Sequence, residues 1–81
     1  MISAAQMKAA RALLGWDQRR LAEAAGVSVP TIQRMESSDG NVRGNVDTLV
    51  KVVDALAKAG IMLISEGEVS DNGGRGVRLA G

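Results

Sequence analysis

Apolar residues recur at helical spacing through the first sixty positions, and each helical stretch opens on a capping side chain, three of the four ending at a glycine. Ser3, followed three residues later by Gln6, forms a capping-box pattern, with Ile2 and Met7 placed as a hydrophobic staple. The pattern predicts a first helix from Ala4 to Leu14, stopped by Gly15 in the left-handed conformation. Asp17 caps a second helix, Gln18 to Ala25, whose Leu21, Ala22 and Ala25 face inward before Gly26 ends it. Val27 is expected in the core. Ser28 caps a third helix, Val29 to Glu36, which tolerates Pro30 because the first-turn N–H groups have no intrahelical partner. Two short helices joined by a tight glycine turn make a helix-turn-helix.

Ser37 to Asn45 is polar, holds two glycines and predicts a loop, within which Asp39-Gly40-Asn41 is a turn rather than a calcium loop, the run of carboxylates being absent. Asn45 caps a fourth helix, roughly Val46 to Ala59, ended by Gly60. Its apolar face is expected to be Val46, Leu49, Val50, Val53, Leu56 and Ala57, opposite a stripe of Asp47, Lys51, Asp54 and Lys58. Beyond Gly60 the period changes. Ile61 to Ile64 is apolar throughout and predicts a strand, and the alternating Val77-Arg78-Leu79 predicts a second, joined through the polar stretch Glu66–Gly76. Because a lone hairpin is marginal in water, these strands are expected to pack on the helices or to pair with another copy.

Composition narrows the chemistry. Trp16 is the only aromatic residue, so the core must come from Leu, Ile, Val, Met and Ala, and Met7, Met35 and Met62 are read as core residues. With no Cys and no His, disulfides, thiol chemistry, imidazole metal sites and histidine acid–base catalysis are excluded. No nucleophile–base pair, phosphate loop or metal-ligand set is evident, so an enzyme is discounted and no cofactor is expected. The apolar runs are far shorter than the ~20 residues of a membrane helix. Met1–Gln6 lacks the basic start of a signal peptide, and a cytoplasmic location is expected. The formal charge is +1, split into +2 through Asn45 and −1 after it, too mild to announce nucleic acid.

The segment Leu14-Gly15-Trp16-Asp17-Gln18-Arg19-Arg20-Leu21-Ala22-Glu23-Ala24-Ala25-Gly26-Val27-Ser28 resembles the Cro/repressor-type (XRE) helix-turn-helix family. The likeness continues through Thr31-Ile32-Gln33-Arg34-Met35-Glu36 and Leu49-Val50-Lys51-Val52, covering about residues 5–60. It implies a mainly α, compact four- to five-helix, lambda-repressor-like bundle, here with a short C-terminal β-strand pair: a domain over 1–60 and an extension over 61–81. Family members act as bacterial or phage transcription regulators, usually dimeric on DNA. The resemblance places base-reading side chains on the outward face of the third helix, whose outward positions are Val29, Pro30, Gln33, Arg34 and Ser37. Arg34 suits guanine O6 and N7, Thr31 a phosphate or thymine methyl, and Val29 a thymine methyl. Gln18 matches a phosphate-gripping position, with Ser28 at the start of the third helix and Arg43 in the following loop as further contacts. Arg11 and Glu36 match a structural ion pair.

The family pattern departs at Val29-Pro30, which makes the reading head unusually apolar. The expected partners are double-stranded DNA and a second copy of the chain, with Ile61, Leu63, Val77 and Leu79 of the tail available for pairing. The rival is a protein-binding helix-turn-helix, an antiactivator or antitoxin that sequesters another regulatory protein, favoured by the apolar head and the near-neutral charge. No membrane role is expected.

Overall fold

A computed structural model describes residues 2–38, 45–64 and 76–79. Its first helix, α1 (Ala4–Leu14), starts from the Ser3 box: the Ser3 hydroxyl accepts from the Gln6 N–H at 3.1 Å, and the Gln6 side chain accepts from the Ser3 N–H at 2.8 Å. Two otherwise orphaned donors are satisfied there, and Ile2 and Met7 lie fully buried on either side of the box. Helices α2 (Gln18–Ala25) and α3 (Val29–Glu36) follow, capped by Asp17 and Ser28. Helix α4 (Val46–Lys58) is capped by Asn45, and its end passes through Ala59 to Gly60, whose φ of 95° is left-handed. These are the four helices among the described residues.

Strands β1 (Ile61–Ile64) and β2 (Gly76–Leu79) pair with each other within the chain, antiparallel, in the register Ile61 with Leu79 and Leu63 with Val77. The hairpin does not stand alone: β2 lies on α1 and β1 on α4. One further tie comes from Gln6, whose amide donates to the Gly76 carbonyl at 3.1 Å. Of the four tail residues, Ile61 is buried, Leu63 and Val77 are half-buried against the core, and Leu79 is exposed.

The core sits between α1, α2, α3 and α4 and is closed by β1. Its fully buried side chains are Ile2, Met7, Leu21, Ile32, Met35, Val52 and Leu56, with alanines 10, 22 and 25 allowing close approach. Each large side chain contributes about 1.5–3 kcal/mol relative to exposure. Val27 and Trp16 pack at its edge, half-buried. Met62 is 43% exposed rather than a core residue, because alternation along β1 sends Ile61 inward and its neighbour outward.

The inner face of α4 differs from the expected one. Leu49 and Leu56 are buried and Val53 half-buried, but Val46, Val50 and Ala57 are exposed, while Val52 and Ala55 take inner positions. The helix carries apolar residues over an arc wider than its neighbours α2 and β1 cover, so contact with those two elements, not periodicity, selects which part is buried.

Candidate nucleic-acid interface

The turn between α2 and α3 is set by backbone chemistry. Gly26, at φ 73°, donates to the Glu23 carbonyl, and the Val27 N–H reaches back to the Ala22 carbonyl at 3.0 Å. This paired closure satisfies the last carbonyls of α2 and reverses the chain with no side chain at the left-handed position. The same closure recurs at the end of α1, where Trp16 N–H bonds Arg11 O at 2.9 Å behind Gly15. Ser28 then starts α3: its hydroxyl accepts from the Thr31 N–H at 3.3 Å and shares a 2.8 Å hydrogen bond with the Thr31 hydroxyl.

With its start fixed, α3 distributes its residues plainly. Ile32, Met35 and Glu36 point into the fold. Pro30, Gln33 and Arg34 are exposed, Ser28 is exposed at the cap, and Thr31 is half-buried. Val29 is half-buried and packs on the core, which leaves little of its side chain outward. Among the described residues no carboxylate forms an ion pair with Arg34. Arg43 and the Asp39-Gly40-Asn41 turn lie outside the described residues.

The orientation of α3 is held from beneath by Glu36, 3% exposed. Arg11 of α1 grips it with both arms, Nε to Oε2 and Nη2 to Oε1, each at 2.7 Å, while Nη1 donates to the Trp16 carbonyl at 3.2 Å. Such a bidentate geometry fixes direction as well as distance. The hydrogen bond to Glu36 raises the Arg11 guanidinium above its ordinary value; burial opposes that rise, and the charges of Glu36 and Asp17 add to it. Arg11 therefore stays charged wherever the protein is folded.

Gln18, at the first position of α2, donates Nε2 to the same Glu36 Oε1 at 3.2 Å. One carboxylate thus ties α1, α2 and α3 together, and the Gln18 amide keeps a second N–H. This contact was not foreseen from the sequence; a polar residue opening α2 opposite a buried acid was the only available signal. Arg20 stands over the Trp16 ring at 5.0 Å. Four residues of separation from the sole aromatic, across the Asp17 cap, is the sequence signal for that stacking.

Two short helices, a closed glycine turn and an outward α3 braced by a buried carboxylate define a helix-turn-helix domain. A family sequence model described as "Helix-turn-helix" matches residues 7–59, and the chain belongs to that family, the Cro/repressor-type group of DNA-binding regulators. No curated protein matches the chain. Among the described residues no helix is long and apolar enough to cross a membrane.

Proposed function

We propose that this chain is a transcription repressor that reads DNA with α3 in the major groove, as a symmetric pair on a pseudo-palindromic site. The observation that carries the reading is the division of α3: Ile32, Met35 and Glu36 anchor it, while Pro30, Gln33 and Arg34 stand free on a helix whose angle is fixed. A major groove admits a helix presented in this way. Arg34 takes the role of guanine reader, with both guanidinium edges open to O6 and N7. Gln33 reads an adjacent base edge, and Pro30, with more exposed surface than Val29, supplies apolar contact to a thymine methyl.

Gln18 grips a phosphate with the N–H not given to Glu36, and Ser28 and Thr31 at the start of α3 add backbone and hydroxyl donors. Arg43 contributes a further cationic contact. Half-sites are then about 34 Å apart, one helical turn. A small domain seated on a promoter acts by occlusion, which is why repression is the regulatory sense proposed. The tail residues Ile61, Leu63 and Val77 serve first to cover their own helices.

Selection of bound duplexes from a random pool, followed by salt titration, tests the reading. An enriched two-fold symmetric sequence, with affinity falling steeply as salt rises, is expected. No enrichment and a flat salt response overturn it, and leave the protein-binding rival in its place.

A further inference from the structure

Helix α4 carries a second apolar strip that its own fold covers only at Val53, which is half-buried against the core, while Val46, Val50 and Ala57 are exposed. Val46 is 66% exposed and Val50 57%; with Val53 and Ala57 they line up at spacings of four, three and four residues, the seam spacing of a helix pair. The strip surrounds a shallow hollow of about 370 Å³ lined by Leu49, Val50, Val53, Asp54 and Ala57. Along one side of it runs the exposed charged row Asp47, Lys51, Asp54 and Lys58.

We infer that this strip is the surface on which two copies of the chain pair, α4 against α4 and antiparallel. The order of charges argues for it. The row alternates acid, base, acid, base, with spacings of four, three and four that read the same from either end. A two-fold axis perpendicular to an antiparallel helix pair brings the two rows to the same side of the seam. Lys51 of one copy then faces Asp54 of the other, Asp47 faces Lys58, and each pairing occurs twice. The apolar strip pairs in nearly the same register, its own centre lying one residue, about 1.5 Å, before that of the charged row, so that Val50 lies near Val53 and Val46 near Ala57 of the second copy. A parallel pair lacks this match, because its two-fold axis puts each charged row beside the partner's apolar flank. Self-complementarity of one patch is what a two-fold interface requires.

The size of the strip sets the strength. Thirteen residues of helix make a strip about 20 Å long and 10 Å wide, well under the ~1,200 Å² that stable interfaces bury. Pairing is therefore weak in free solution and is reinforced when adjacent half-sites hold two copies side by side. Its use rests on the DNA-reading proposal above; the surface itself does not.

Sedimentation equilibrium of the full chain without DNA, over a wide concentration range, tests the surface directly. The wild type is expected to show a weak monomer–dimer equilibrium, and Val50→Asp a monomer with unchanged helical circular dichroism. Lys51→Glu and Asp54→Lys each juxtapose like charges and are expected to weaken pairing roughly tenfold or more. The double variant K51E/D54K restores it, and the two single variants mixed together associate with each other. A wild type that stays monomeric overturns the inference and leaves the strip to a different protein. Pairing indifferent to Val50→Asp, or blind to every charge exchange, overturns it too. On DNA, Val50→Asp keeps half-site affinity and loses the gain on the palindrome. Arg34→Ala lowers affinity for half-site and palindrome alike, keeps the gain between them and sediments as wild type, so failure of the DNA reading and failure of the pairing surface give different results.

Discussion

Arg11 on α1 and Glu36 on α3 meet through two parallel hydrogen bonds of 2.7 Å, with Arg11 one-fifth exposed and Glu36 almost wholly enclosed. The asymmetry has a thermodynamic consequence. Arg11→Ala strands the deeper charge with Gln18 as its remaining side-chain donor, and is expected to cost about 3 kcal/mol. Glu36→Ala is expected to cost less, since Arg11 keeps the Trp16 carbonyl and access to water. Urea denaturation of the two single variants and the double variant checks the order, and the double variant should lose less than the sum.

Gly26→Ala isolates a backbone effect. An added Cβ meets nothing within 4 Å, so the loss comes from holding an alanine at φ 73°. A loss of about 1–2 kcal/mol is expected, with Gly26→Asn losing less because asparagine tolerates that region. Equal stability of all three proteins in thermal melts contradicts this account.

Gln6→Glu separates the two jobs of Gln6. A carboxylate still accepts from the Ser3 N–H, preserving the box, but it has no proton to donate to the Gly76 carbonyl. Faster hydrogen exchange confined to β1 and β2 is expected, with α1 protection retained. Gln6→Ala removes both contacts and is expected to cost about 1–2 kcal/mol.

Truncation after Gly60 removes Ile61 from the core and β1 from the side of α4. The melting midpoint is expected to fall, and self-association with it, because α4 loses its backing. Ultracentrifugation showing the same mass behaviour with and without the tail counts against the second half of that expectation.

On DNA, Arg34→Ala is expected to cost about 1–3 kcal/mol at a selected site and to relax preference at one base position. Gln18→Ala, by contrast, should weaken binding about equally across sequences, the mark of a phosphate contact. Competition binding against single-base variants of the selected site distinguishes the two patterns.

The caps and stops were legible because they are local. Ser3, Asp17, Ser28 and Asn45 each accept from a nearby backbone N–H, and Gly15 and Gly26 each take the left-handed position that closes a helix. Contacts between distant elements were not legible from spacing. The Arg11–Glu36 pair entered through family resemblance, and nothing local pointed from Gln6 to Gly76, seventy residues away. The face of α4 misled for a different reason: Val46, Val50 and Ala57 fit a helical stripe as well as Val52 and Ala55 do, and only the position of α2 and β1 decides between them. On α3, the exposed Arg34 and inward Ile32 follow from periodicity, whereas half-burial of Val29 depends on how closely α3 lies on the core.

Trp16 gives the molecule an unusual optical property. As the chain's one aromatic ring, set under Arg20 at the joint between α1 and α2, it makes near-ultraviolet emission a gauge of a single place. Any loosening of that joint registers there against no background from tyrosine or a second indole, so a shift in emission wavelength dates the opening of the junction relative to loss of helix elsewhere.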